Sequence, residues 1–185
     1  MANTKKNPTT CSTTEVIMKL DVGCGSNKRP GFIGMDISPN VGAEVVHDWE
    51  YFPWPFNSDS VGEINVSHVL EHTKDLIRFM EECYRILRVG GVMHVACPYH
   101  TSTGAWQDPT HTRAISEMTF HYFSKHWRDN NGLGHYPISC NFDFSYVHMV
   151  DQEWLSKPQH EIAFAIQHYF NVCRTINATL TKRAI

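Results

Sequence analysis

Nowhere in the 185 residues does an apolar run approach the roughly 18 needed to cross a bilayer. The opening stretch MANTKKNPTTCSTTEV also lacks the apolar middle of an export signal. A soluble, cytoplasmic protein with no membrane contact is expected. Positive charge is scarce: 16 Lys and Arg against 19 Asp and Glu give a net charge of −3, which leaves no excess to neutralise a phosphate backbone. Broad nucleic-acid binding is not expected. Cysteine pairs are missing too. Cys11, Cys24, Cys83, Cys97, Cys140 and Cys173 are scattered with no CxxC, so reduced thiols are expected. Two nucleotide-binding strings fail in the same way. A G-x-G-x-x-G fingerprint begun at Gly23 would need its third glycine where Lys28 stands, and no G-x-x-x-x-G-K-[ST] string exists.

What is present is an apolar share of 42%, enough for one core, together with 12 histidines and 12% aromatic residues. Residues 1–15 are polar and read as a flexible tail before a single domain over 16–185. Apolar runs bounded by turn residues predict strands at Val16–Val22, Phe32–Ile37, Glu44–His47, Gly62–His68 and Val92–Cys97. Between the last two, Leu76, Ile77, Met80, Cys83, Tyr84 and Leu87 share one face of a helix over Thr73–Leu87. Thr73 is the expected N-cap and Gly90-Gly91 the stop. This alternation predicts an α/β fold: an open, mostly parallel sheet with helices on both faces, binding its ligand at the carboxyl ends of the strands. From 99 to 139 the chain is dense in His, Trp, Tyr and Asp and reads as an insertion on that same edge. A strand is expected at Asn141–His148, then a helix with Ile162, Ala165, Ile166 and Tyr169 on one face. Cys173, Ile176 and Leu180 fit either more helix or a last strand.

Leu20-Asp21-Val22-Gly23-Cys24-Gly25 puts a carboxylate at a strand end before two glycines that let a ligand approach backbone. Here the sequence resembles the class I S-adenosylmethionine-dependent methyltransferases, within them a compact bacterial and phage-like type reading L-x-L-G-C-G and then P-G-[FWY]-x-x-x-D. The residues are LDVGCGSNKRPGFIGMDIS, continued by VVHDWEYFPWPFNSDSVGEINVSHVLEH and RILRVGGVMHVACP, over residues 19–98. The resemblance implies a Rossmann-like, seven-strand methyltransferase fold and S-adenosylmethionine as cofactor, with S-adenosylhomocysteine as product. It places Asp21, Gly23 and Gly25 at the methionine end and Asp36 at the ribose, with Cys24 and Ile37 beside them in the cofactor site. Asp48 and Trp49 fall at the adenine, and His68 near the methionine and sulfonium. Only 15 residues separate Asp21 from Asp36, too few for a full helix, so one sheet face is expected to be thinly covered and a homodimer stays open beside a monomer.

Methyl transfer needs an aligned acceptor, and a base only when the acceptor must lose a proton. His111, polarised by Asp108, is the expected base, with His100 second. The alternative is that Asp108-Pro109 starts a turn and His111 is structural. His100, Asp108, His111 and His121 offer nitrogen and oxygen ligands, but no compact HExxH-like pair appears and no metal is expected. Trp106, Phe120, Tyr122, Phe123 and Trp127 suit a small-molecule or sugar-like acceptor methylated at oxygen or nitrogen. A non-catalytic module that only binds S-adenosylmethionine is the alternative.

Overall fold

In the computed structural model, which describes residues 17–185, seven strands build one sheet. They are β1 Met18–Val22, β2 Ile33–Asp36, β3 Val45–Val46, β4 Val61–Ser67, β5 Leu87–Pro98, β6 Phe142–Val150 and β7 Cys173–Lys182. The expected tail and Val16 lie outside the described residues. The strand order is β3-β2-β1-β4-β5-β7-β6. β1 to β5 run parallel, and β7 is antiparallel to both its neighbours. The helices are α1 Leu76–Ile86, α2 Glu117–His121, α3 Lys125–Asn130 and α4 Gln159–His168.

Two adjacent register rows show how the sequence assigns the faces. Leu20, Ile64, Met93, Leu180 and Phe144 line up across five strands, and the first four are fully buried. Each such side chain contributes roughly 1.5–3 kcal/mol on burial. One residue further along, on the opposite face, Asp21, Asn65, His94, Thr179 and Ser145 form a polar row. All four helices lie on the apolar face. Phe79, Met80, Cys83 and Ile86 of α1, Phe120 of α2, and Ala165 and Ile166 of α4 join the same core, and α3 follows α2 through Trp127, whose ring lies 5.3 Å from that of His121.

The sheet and its mostly parallel order match the expectation, but helices cover one face only among the described residues. On the other face the loop after β1 covers β1 and β2, with Lys28 paired to Glu44 and Arg29 set over the Phe32 ring. Beyond it the face meets water. Lys19 pairs with Glu63, His94 with Thr179, and Val147 is 61% exposed. The reason is the length noted above: the connections between β1, β2 and β3 hold no α-helix, and the strands present polar residues where that cover is absent.

α1 also differs from its expectation. Asp75, not Thr73, caps it by accepting from the Arg78 amide, while the Thr73 hydroxyl donates to the Leu70 carbonyl. The helix ends at Ile86 and runs straight into β5, so Gly90-Gly91 does not stop it. Gly90 (φ +77°) instead sits inside β5 at an irregularity in its register with β4, where Val61 faces Leu87 and Glu63 faces Val92. Phe79 and Ile86 are buried while Ile77 is 36% exposed, so the apolar face is turned slightly from the one the spacing suggests.

Candidate functional site

Successive strand ends carry the carboxylates. Asp21 is 4% exposed and accepts from the Arg29 amide at 2.8 Å and from the Asn65 side-chain amide at 2.6 Å. Both bonds fix the loop that follows β1. Gly23 and Cys24 donate their amides to the Met35 carbonyl, and Gly25 donates to Asp36 Oδ2 at 2.9 Å, so the glycine turn folds over the end of β2. Asp36, 8% exposed, accepts from the Ser38 amide through Oδ1, and each oxygen retains lone-pair capacity. Beside it Ile37 is 54% exposed, an apolar surface next to a buried carboxylate. The Cys24 thiol packs where a Cβ on Gly34 would come within 2.7 Å. Burial, then the charges of Asp36 and Asp21, push its pKa up.

Asp48 follows β3 and accepts from the Glu50 amide through Oδ1. Trp49 is held from below: Trp54, 2% exposed, donates its indole N–H to the Trp49 carbonyl, and its amide donates to Glu82. A Cβ on Gly23 would stand 3.4 Å from the Trp49 ring and 2.5 Å from Val69 Cγ2. The glycine turn, the loop after β3 and the end of β4 therefore meet at one point. His68 follows β4 with φ +56°, its Nδ1 3.1 Å from Glu71 Oε1, and that hydrogen bond raises its pKa.

Next to this edge lies a cleft of about 600 Å³ lined by His68, Glu71, His72, Pro98, Ser102, Asp108, His111 and Arg174, among others. His111 is in its wall, but no hydrogen bond joins it to Asp108, the residue expected to polarise it. His111 Nε2 lies 3.9 Å from Asp108 Oδ2, beyond hydrogen-bond distance, and Nδ1 lies 3.1 Å from the Ala105 carbonyl. Asp108 instead accepts from the Thr110 amide and hydroxyl. His100 is not among the lining residues. His121 packs its ring against Phe144 and Trp127 at 4.6 and 5.3 Å. The four-residue ligand set read from sequence is therefore dispersed, while Glu71 and His72 face His111 across the cleft. Their only sequence signal is the adjacent Glu-His pair after β4.

A second cavity of about 600 Å³ lies between the start of α1 and α2 and takes up Tyr122 and Phe123 of the aromatic insertion, with Lys74 and Arg113 in its lining. Arg113 donates to the Thr73 and Lys74 carbonyls, tying the insertion to the start of α1.

Residues 20–95 match the methyltransferase domain family. No curated protein matches by sequence. Among solved structures, an S-adenosylmethionine-dependent methyltransferase from Archaeoglobus fulgidus superposes with a TM-score of 0.61 at 17% identity, over 90% of this chain and 86% of that one. One from Mesorhizobium loti gives 0.54 at 12%, over 90% and 91%. The [4+2]-cyclase SpnF gives 0.58 at 16%, over 91% and 76%. At these identities the likeness speaks for the fold, which SpnF shares as a cyclase. Residues 20–95 therefore carry a methyltransferase domain, set in a fold shared with solved S-adenosylmethionine-dependent methyltransferases.

Proposed function

We propose that the chain moves the methyl group of S-adenosylmethionine to an oxygen or nitrogen of a small-molecule or sugar-like acceptor bound in the cleft between His68 and His111. One observation carries this reading. The cleft opens beside the end of β4, next to the row of strand-end carboxylates, and its wall holds basic imidazoles rather than an apolar lining alone. In this reading Asp36 accepts from the ribose hydroxyls, and Asp48 and Trp49 meet the adenine beside Ile37. Gly23 and Gly25 pass the methionine end, with Asp21 and Cys24 shaping their turn. His68 borders the sulfonium.

Displacement at the methyl carbon breaks the C–S bond with its pair going to sulfur, and an acceptor O–H or N–H gives up its proton. His111 is the group proposed to take that proton. Its Nδ1 donates to a carbonyl, which leaves Nε2 with a free lone pair. Asp108 supports the loop through Thr110, and His100 is the second candidate.

His111→Ala should lower turnover by roughly 10²–10⁴-fold and leave S-adenosylmethionine affinity within about twofold. Calorimetry and a coupled assay for S-adenosylhomocysteine over an acceptor panel measure the two quantities. Unchanged turnover removes His111 from the chemistry. Cofactor binding without turnover on any acceptor favours the non-catalytic module.

A further inference from the structure

The carboxylate of Glu71 is the least explained group in the molecule. It is 2% exposed, its Oε1 meets His68, and its Oε2 is buried with no hydrogen-bond partner among the described residues. A buried acceptor left unpaired costs free energy unless something positive meets it. Two histidines stand opposite. Thr110 spends its hydroxyl hydrogen on Asp108 at 2.6 Å, so its oxygen must accept from His72 Nδ1 at 3.0 Å. His111 Nδ1 faces the Ala105 carbonyl, which can only accept. Both rings are thereby fixed as the tautomer with the proton on Nδ1 and a lone pair on Nε2. One donor atom from each of Glu71, His72 and His111 lies within 4.8 Å of the other two. Imidazoles anchored through one nitrogen, joined by a carboxylate, are how proteins hold divalent first-row metals.

We propose that Glu71, His72 and His111 form a binding site for a divalent transition-metal cation of the Zn²⁺ or Mn²⁺ class, with open positions facing the acceptor cleft. The inference deepens the methyl-transfer reading and rests on it for its purpose. Three protein ligands leave room for an acceptor oxygen, and the cation lowers the pKa of that oxygen's proton, as it does for bound water. The proton then passes to solvent water, the oxygen's electron pair forms the bond to the methyl carbon, and the C–S pair leaves to sulfur. His111 acts as a ligand in this version, not as the base.

The test uses untagged protein, stripped with chelator and titrated with Zn²⁺ by calorimetry and with Co²⁺ by visible absorption. One equivalent should bind. His72→Ala and His111→Ala should each weaken binding by roughly 10–100-fold, and Glu71→Gln should do the same, while His160→Ala should not. Circular dichroism and retained S-adenosylmethionine binding exclude unfolding of the variants. The absence of a saturable single equivalent would overturn the proposal. So would affinity unchanged in both histidine variants. Full turnover after chelation would reject the cation's part in the reaction and leave direct proton transfer to His111 in place. Tight cation binding with no methyl transfer would count against the methyl-transfer reading alone.

Discussion

Gly23 shows how much one residue sets at this site. Its φ of +63° is left-handed, and an added Cβ would stand 2.5 Å from Val69 and 3.4 Å from Trp49. The backbone penalty alone is roughly 1–2 kcal/mol for an L-residue, and the clash would push the β4 end away from the glycine turn. Gly23→Ala should lower the melting temperature by several degrees and reduce S-adenosylmethionine affinity at least tenfold, read by thermal shift and calorimetry. An unchanged affinity would show that the cofactor does not need this close approach. The strand-end positions of Asp21, Gly23, Gly25 and Asp36 were legible in sequence because their partners are local or one strand away. Glu71 and His72 were not legible as a site. The Thr110 hydroxyl that meets His72 and the His111 ring that stands beside them both arrive from the insertion, and no periodicity records that meeting. Asp108 was paired with His111 by proximity in sequence, but its geometry is that of a turn residue that bonds two positions on.

At the scale of elements, the insertion is held by one buried cation. Arg128 of α3 is 4% exposed and donates to the carbonyls of Tyr122, Ile138 and Cys140. It thus joins the end of α2 to the segment leading into β6. Arg128→Ala leaves three carbonyls short of donors and should cost about 3 kcal/mol or more, seen as a lower urea midpoint with an unchanged fold in circular dichroism. A loss below about 0.5 kcal/mol, the level of an ordinary surface change, would show that water replaces the guanidinium. The strand-helix-strand run from β4 through α1 to β5 was legible because its apolar spacing is regular. β7 was not, for a physical reason. Cys173 and Ile176 are three apart and both buried, a helical spacing, because the pairing with β6 is irregular between Met149 and Val150. Past it Ile176, Ala178 and Leu180 alternate as a strand should.

At the scale of the molecule, four thiols report on one core and a fifth on the loop after β1. Cys83, Cys97, Cys140 and Cys173 are fully buried and Cys24 is 8% exposed, on elements from the β1 turn to β7. Burial raises all of their pKa values, that of Cys173 to about 11. In iodoacetamide at pH 8 these five should label together and only as fast as the fold opens, followed site by site by mass spectrometry. Added S-adenosylmethionine should slow them all, since it binds the folded state. Early labelling of Cys24 alone would mark the loop after β1 as a separately opening unit. The helix-free sheet face fits the same picture. Its cross-strand residues include threonine, asparagine, histidine and a Lys19–Glu63 pair, which water solvates without a second layer.

The strand order also governs synthesis on the ribosome. β7 fills the slot between β5 and β6, yet Cys173–Lys182 is translated after both of them. Until it emerges, β5 offers an open edge along Val92–Pro98 and β6 has no partner, so the nascent chain carries an open sheet edge and an unpaired strand of the kind that attract other chains. Chaperone demand and aggregation should therefore depend on how quickly translation passes residue 173.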